Sequence, residues 1–178
     1  MEKKKKLKKK YNCNVESYEK RYSQIQSRKF KAIQKYIGKT SRLLEVGCGT
    51  GFFLESLSDF SDQIFAVDFS HEMLQRAKKR STKAFLVLAD ADNLPFEEEV
   101  FETVVSLTLL QNMPDPKFTV REMTRVLKDE GTLIATVLDK EISRKDVKDW
   151  LDFEGLKTKK IEKIANSEDL LLVGERKL

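Results

Sequence analysis

The chain has 178 residues, of which 40% are hydrophobic and 35% charged, and its formal net charge is +5. That length and balance suit one globular domain around a single core. They exclude a membrane-spanning helix, because no stretch approaches about 20 apolar residues.

The charge is unevenly spread. MEKKKKLKKK, the first ten residues, holds seven Lys and one Glu, so the +5 total less this tail's +6 leaves −1 for everything after it. Residues 1–10 read as a basic tail, either solvated and disordered or an arm that holds phosphates nonspecifically. Residues 11–178 read as one folded domain. No apolar segment follows the Lys run, so no secretory signal is expected. Cys13 and Cys48 form neither a disulfide framework nor a CxxC pair. The cytoplasm is the expected location.

Apolar and aromatic residues at helical spacing predict a helix over Val15–Ile37, with Gly38 as its C-cap. A short strand is expected at Arg42–Val46, then a helix over Phe52–Phe60 and a strand at Gln63–Val67. Ser70 caps a helix over His71–Arg80, with Glu72 in its first turn. Strands follow at Ala84–Ala89 and Phe101–Leu107. Pro116 opens a helix that runs to Leu127, and Gly131–Leu138 is the next strand. Ser143, with Asp146 three residues on, caps a helix that runs to Phe153. Leu156–Ile164 and Leu170–Glu175 read as closing strands. Strands alternating with helices mean right-handed crossovers and a mostly parallel sheet. The uninterrupted apolar runs IFAV and AFLVLA fit strands covered on both faces.

LLEVGCGTGFF, Leu43 to Phe53, places three glycines in five positions where the first strand meets the next helix. In a doubly wound sheet that is where ligands bind. A dinucleotide would want GxGxxG and a bare helix N-terminus. Here the third glycine falls one residue early, at Gly51, and Phe52 takes the expected position. Glu45 also stands close to where a pyrophosphate would lie. A P-loop is excluded because no GK[ST] follows. Asp68 ends the second strand and can accept both hydrogens of a ribose diol. Asp90 ends the third strand and can accept from an adenine amino group. Three acids on three consecutive strand ends suit a nucleoside that lacks phosphate and carries positive charge.

The chain resembles the class I S-adenosylmethionine-dependent methyltransferases, in the branch often called type 11 or UbiE-like. LLEVGCGTG is similar to the family's first motif and VDFSHEML, Val67 to Leu74, to its second. LADADNLPFEEEVFETVVSLTLLQNMPDP is similar to its acidic loop and fourth strand, and REMTRVLKDEGTLIAT to the lead into strand five. YNCNVESYE, Tyr11 to Glu19, resembles the YDxxAxxYD that often opens such domains, with Asn12 for Asp and Val15 for Ala. The resemblance implies a Rossmann-like α/β fold: a seven-stranded, mostly parallel sheet with an antiparallel closing strand and helices on both faces. It implies S-adenosyl-L-methionine as cofactor. By resemblance, Gly47, Gly49 and Gly51 let the backbone approach the methionyl part, with Cys48 packed between them. Glu45 orients the loop and faces the cofactor's ammonium, Asp68 binds the ribose hydroxyls and Phe69 flanks the adenine. Asp90 and Ala91 meet the adenine edge, and Leu109 lines the pocket. Tyr11 and Tyr18 are either a lid over the cofactor or ordinary helix packing.

A sulfonium methyl is already activated, so methyl transfer needs proximity and alignment more than a catalytic side chain. The catalytic residues are therefore left unassigned. SLTLLQNMPD, after strand four, lacks the [DN]PP[YF] of amino-group methylation of bases or glutamine. Cys48 and the lone His71 read as packing and as an exposed or capping residue. About four residues, Asp139 to Ile142, stand where relatives that methylate small molecules often carry a cap. The expected acceptor is therefore bulky, an RNA or a protein. The alternatives are a small-molecule enzyme whose pocket a partner or second subunit closes, and a module that binds the cofactor without transferring methyl. An aminopropyltransferase would need acids along a polyamine, and no such set is present. Glu45 and Phe52 disfavour a nicotinamide-dependent oxidoreductase.

Overall fold

The computed structural model describes residues 25–81 and 83–177. Residues 25–33 form a helix, α1, that tightens into a 3-10 turn over Gln34–Tyr36. The strands are β1 (Thr40–Val46), β2 (Ser61–Asp68), β3 (Phe85–Leu88), β4 (Phe101–Leu107), β5 (Leu127–Leu138), β6 (Leu156–Lys163) and β7 (Asp169–Arg176). Between them lie α2 (Leu54–Leu57), α3 (His71–Arg80), α4 (Pro116–Arg125) and α5 (Arg144–Phe153). The seven strands form one sheet in the order β3-β2-β1-β4-β5-β7-β6, with β7 antiparallel to both neighbours. This is the expected doubly wound sheet with a reversed closing strand. The order reverses direction between β1 and β4, so the crevice for a ligand opens at their carboxyl ends.

Strand alternation divides the core in two. On one face Leu44, Val104, Leu133 and Leu172 pack against Val120, Met123, Val147 and Leu151 of α4 and α5. On the other, Leu43, Ile64, Ile134 and Leu171 meet Ile33 of α1, Leu54 and Leu57 of α2, and Ala77 of α3. Among the described residues no helix is long and apolar enough to cross a membrane.

Several boundaries follow local chemistry. α3 runs from His71 to Arg80 as expected, because the Ser70 side chain accepts from the Met73 amide. A reciprocal capping box between Ser143 and Asp146 opens α5. Other expectations need correcting. Gly38 does not adopt the left-handed C-cap conformation; the 3-10 turn ends on an extended Ile37. The helix expected over Phe52–Phe60 shrinks to Leu54–Leu57, because the loop before it is still turning at Phe53. β5 begins earlier than Gly131: Leu127 already pairs with Phe101 across an irregularity, and Glu130 takes a left-handed φ of 58°. The apolar run around β3 is not covered on both faces. β3 is an edge strand, with Phe85 and Leu88 52% and 53% exposed. The portion of the first expected helix before residue 25 lies outside the described residues.

Candidate cofactor site

The glycine loop hangs from the second strand. The amides of Gly47 and Cys48 both donate to the Val67 carbonyl, at 2.8 and 3.0 Å. Gly47, Gly49 and Gly51 have φ of 77°, 55° and 72°, all left-handed, which is why glycine stands at each position. Their neighbours differ. A Cβ on Gly47 would come within 3.1 Å of the Leu109 side chain, while one on Gly49 would meet nothing within 4 Å. A Cβ on Gly51 would lie 2.8 Å from Ala77 Cβ and from Leu54. Gly51 thus makes room for α2 and α3 to approach, and Gly49 leaves its room to the cavity.

Asp68 ties the loop from below. Its Oδ2 accepts from the Gly49 amide and its Oδ1 from the Ser70 amide, both at 2.9 Å. Each oxygen keeps further acceptor capacity. Burial raises the Asp68 carboxyl above its ordinary range, and these backbone donors pull it partly back. Glu45, the next-to-last residue of β1, is 2% exposed, and its Oε2 has no hydrogen-bond partner among the described residues. Its carboxyl is pushed up to about 8, first by burial and then by the negative charge of Asp68. Burial, followed by those same two carboxylates, raises the Cys48 thiol well above its ordinary value, which leaves it a packing group rather than a nucleophile. His71 is exposed at the start of α3.

A cleft of about 730 Å³, counting space open to solvent, lies over these strand ends. Gly47, Gly49, Asp68, Phe69, Asp90, Ala91 and Leu109 line it, so the structure gathers seven of the sequence-derived site residues on one wall system. Asp90 Oδ1 caps its own turn by accepting from the Asp92 amide at 3.0 Å. Glu45, Cys48 and Gly51 do not line the cleft. They act from behind the loop, through charge or packing. Tyr11 and Tyr18 lie outside the described residues. The sequence reading missed Val67, Met73, Ala89, Leu107, Thr108, Asn112 and Met113, which complete the lining. Met73 sits one turn into the capped helix, so the cap itself was the available signal. Nothing in SLTLLQNM marks Thr108, whose φ of 62° is unusual for a β-branched residue.

The donor set selects the ligand's charge. A pyrophosphate would meet the buried carboxylate of Asp68 and, behind it, the Glu45 carboxyl with its orphan oxygen. A cationic nucleoside would relieve both. The fold and cleft define a Rossmann-like, nucleoside-binding α/β protein of the methyltransferase type. A family model described as "Methyltransferase domain" matches residues 44–135, and the chain belongs to the class I S-adenosylmethionine-dependent methyltransferase family. Its cofactor is S-adenosylmethionine.

Several known proteins are similar to this chain. An uncharacterised protein of Methanocaldococcus jannaschii is 35% identical over 133 residues, covering 74% of this chain and 51% of that protein. The demethylmenaquinone methyltransferase of Staphylococcus saprophyticus is 38% identical over 100 residues, 53% of this chain and 43% of that one. The chain spans about half the length of the curated relatives it matches. Among solved structures, a chain from a complex between a Haloferax volcanii methyltransferase activator and a methyltransferase superposes with a TM-score of 0.83. It is 19% identical, with 94% of this chain and 98% of that chain covered.

Proposed function

We propose that this protein transfers the methyl group of S-adenosylmethionine to a bulky acceptor, an RNA or a protein. The observation that carries the reading is the buried pair Glu45 and Asp68 behind a left-handed glycine loop, since that pair favours a cationic ligand. The chemistry supplied by S-adenosylmethionine, when bound, is a sulfonium methyl activated for in-line displacement. The protein's own part is to bind, align and exclude water. Gly47 and Gly49 let backbone approach the amino-acid end, and Glu45 offsets its ammonium. Asp68 keeps acceptor capacity on both oxygens for the ribose hydroxyls, and Phe69 flanks the adenine. Asp90 and Ala91 meet the adenine edge, and Leu109 lines the pocket. Cys48 and Gly51 shape the loop from behind. No residue is assigned as a general base.

The short connection between β5 and α5, residues 139–143, supports the bulky acceptor, because no inserted cap stands there. The basic tail favours the same class. The test is transfer of tritiated methyl into a cell extract fractionated into RNA, protein and small molecules. Label in RNA or protein is expected. Label only in small molecules selects the small-molecule alternative, with the pocket closed by a partner or second subunit. Cofactor binding with no label in any fraction leaves a non-catalytic binding module and overturns the proposal.

A partner subunit is a second reading, favoured by one observation. β3 offers an open sheet edge with exposed Phe85 and Leu88, and neither charge nor Pro interrupts its FLVL run. The similar Haloferax volcanii fold comes from a complex with an activator. We infer that a partner strand adds to β3, beside the pocket residues Ala89 to Ala91. Light scattering of the purified protein, alone and mixed with a candidate activator, tests it. A strictly monomeric chain in both samples sinks the idea.

A further inference from the structure

Thr108, a cleft residue just past β4, is tied to several other parts of the chain. Its φ of 62° is one that a β-branched side chain holds only under constraint. The constraint has named sources. Its amide donates to the Thr136 carbonyl and hydroxyl at 3.0 and 3.1 Å. Its carbonyl accepts from the side-chain amides of Gln111 and Asn112 at 3.1 and 3.0 Å. Its hydroxyl accepts from Lys29 Nζ at 2.5 Å.

Lys29 comes from α1, far from the cleft in sequence, and only 3% of its side chain is exposed. Such a cation needs a counter-charge. Asp169, at the start of β7 and equally buried, places Oδ1 at 2.8 Å. The ammonium thus stands between two oxygens, in a close ion pair with Asp169 and hydrogen-bonded to Thr108. Asp169 Oδ2 is meanwhile held by the Ser167 hydroxyl at 2.6 Å. Neither Lys29 nor Asp169 lines the cleft, and no step proposed above uses them.

We propose that Lys29, neutralised by Asp169, is a positioning residue that holds Thr108 in its left-handed turn and so sets the cleft wall formed by Thr108, Leu109 and Asn112. The wall bears directly on the glycine loop, because Leu109 packs within 3.1 Å of where a Gly47 Cβ would stand. A slackened Thr108 lets Leu109 shift against Gly47 and opens the amino-acid end of the site. The inference rests on reading that cleft as the S-adenosylmethionine site.

The test separates positioning from plain stabilisation. Lys29→Met alone strands a buried Asp169 and should lower Tm by roughly 10 °C. Lys29→Met with Asp169→Leu replaces the pair by apolar groups and should recover most of that Tm. The double variant should still bind S-adenosylmethionine about tenfold more weakly than the parent. Amides of residues 108–113 should also exchange with deuterium about tenfold faster without any cofactor present. Thr108→Val, which keeps the ion pair but removes the acceptor, should weaken binding similarly, and Thr108→Ser should rescue it. If the double variant fails to fold, the Val and Ser variants decide alone. Unchanged exchange and affinity in variants that fold overturn the inference. Altered exchange in a protein whose parent binds no S-adenosylmethionine overturns the cofactor reading instead and leaves the positioning pair standing.

Discussion

Asp68 Oδ2 accepts a hydrogen bond from the Gly49 amide at 2.9 Å, so the end of the second strand holds the loop that leaves the first. The same carboxylate borders the cleft. One residue therefore does two jobs, shaping the glycine loop and facing the ligand. Asp68→Asn keeps the size but turns one acceptor into a donor, which must then face the amide of Gly49 or of Ser70. A charge-assisted bond of this kind is worth about 1.5–3 kcal/mol. Calorimetry with S-adenosylmethionine should show affinity lower by roughly 10- to 100-fold. Equal affinity would mean that neither the loop tie nor the charge matters to binding.

The glycines should separate by phenotype. Gly51→Ala forces a methyl to within 2.8 Å of Ala77 and Leu54 at a left-handed φ of 72°. Left-handed strain of about 1–2 kcal/mol and overpacking of about 1–3 kcal/mol combine to a loss of about 2–5 kcal/mol in stability. Gly49→Ala meets no atom within 4 Å, so only the backbone strain of about 1–2 kcal/mol applies to the fold. Its methyl would occupy the cleft side and should weaken cofactor binding more than it weakens the fold. Denaturant melts paired with binding isotherms distinguish the two; equal losses of unfolding free energy would refute the division.

What the chain order disclosed, and what it did not, follows from how local each signal is. α3 and β4 were legible to the residue, because Ser70 supplies a cap and FETVVSL is bounded by loop chemistry on both sides. That the acids at 68 and 90 share one cleft was legible, since strand ends converge in any doubly wound sheet, whereas Glu45 stands behind the loop. β3 was misjudged because an apolar run reads alike whether a helix covers it or an edge exposes it. Lys29 was invisible: among 34 Lys and Arg, burial of one depends on Asp169, which lies 140 residues further along the chain. Thr108 was missed for a related reason. Its left-handed turn is imposed by Lys29, Thr136, Gln111 and Asn112, not by its own preference.

The β3 edge should behave as a sticky surface. Leu88→Lys places a charge on a side chain that is 53% exposed and spares Phe85, which stacks on Phe65 at 4.9 Å. The expected change in monomer stability is within about 0.5 kcal/mol. Concentration-dependent light scattering should fall sharply, because a Lys on an open edge blocks strand addition. Unaltered association would show that pairing uses another surface.

Glu45 makes the site sensitive to pH in a direction that can be fixed beforehand. Its carboxyl is pushed up to about 8 from an ordinary 4.5, by burial first and by Asp68 second. The folded chain thus holds a proton that the unfolded chain releases. The stabilising contribution is complete below about 4.5 and is lost as pH rises through about 8. Glu45→Gln keeps a neutral group at the same place, so its Tm should hold while the parent's falls across that window. Cofactor binding reverses the preference, because a positive charge nearby favours ionised Glu45. Binding at neutral pH should therefore release up to one proton, seen as a buffer-dependent calorimetric enthalpy, and affinity should climb with pH until about 8. In Glu45→Gln both the proton release and the pH slope should vanish, and affinity above that pH should drop about tenfold. Parallel Tm curves and a buffer-independent enthalpy would remove Glu45 from the cofactor's charge balance and leave Asp68 as its counterpart.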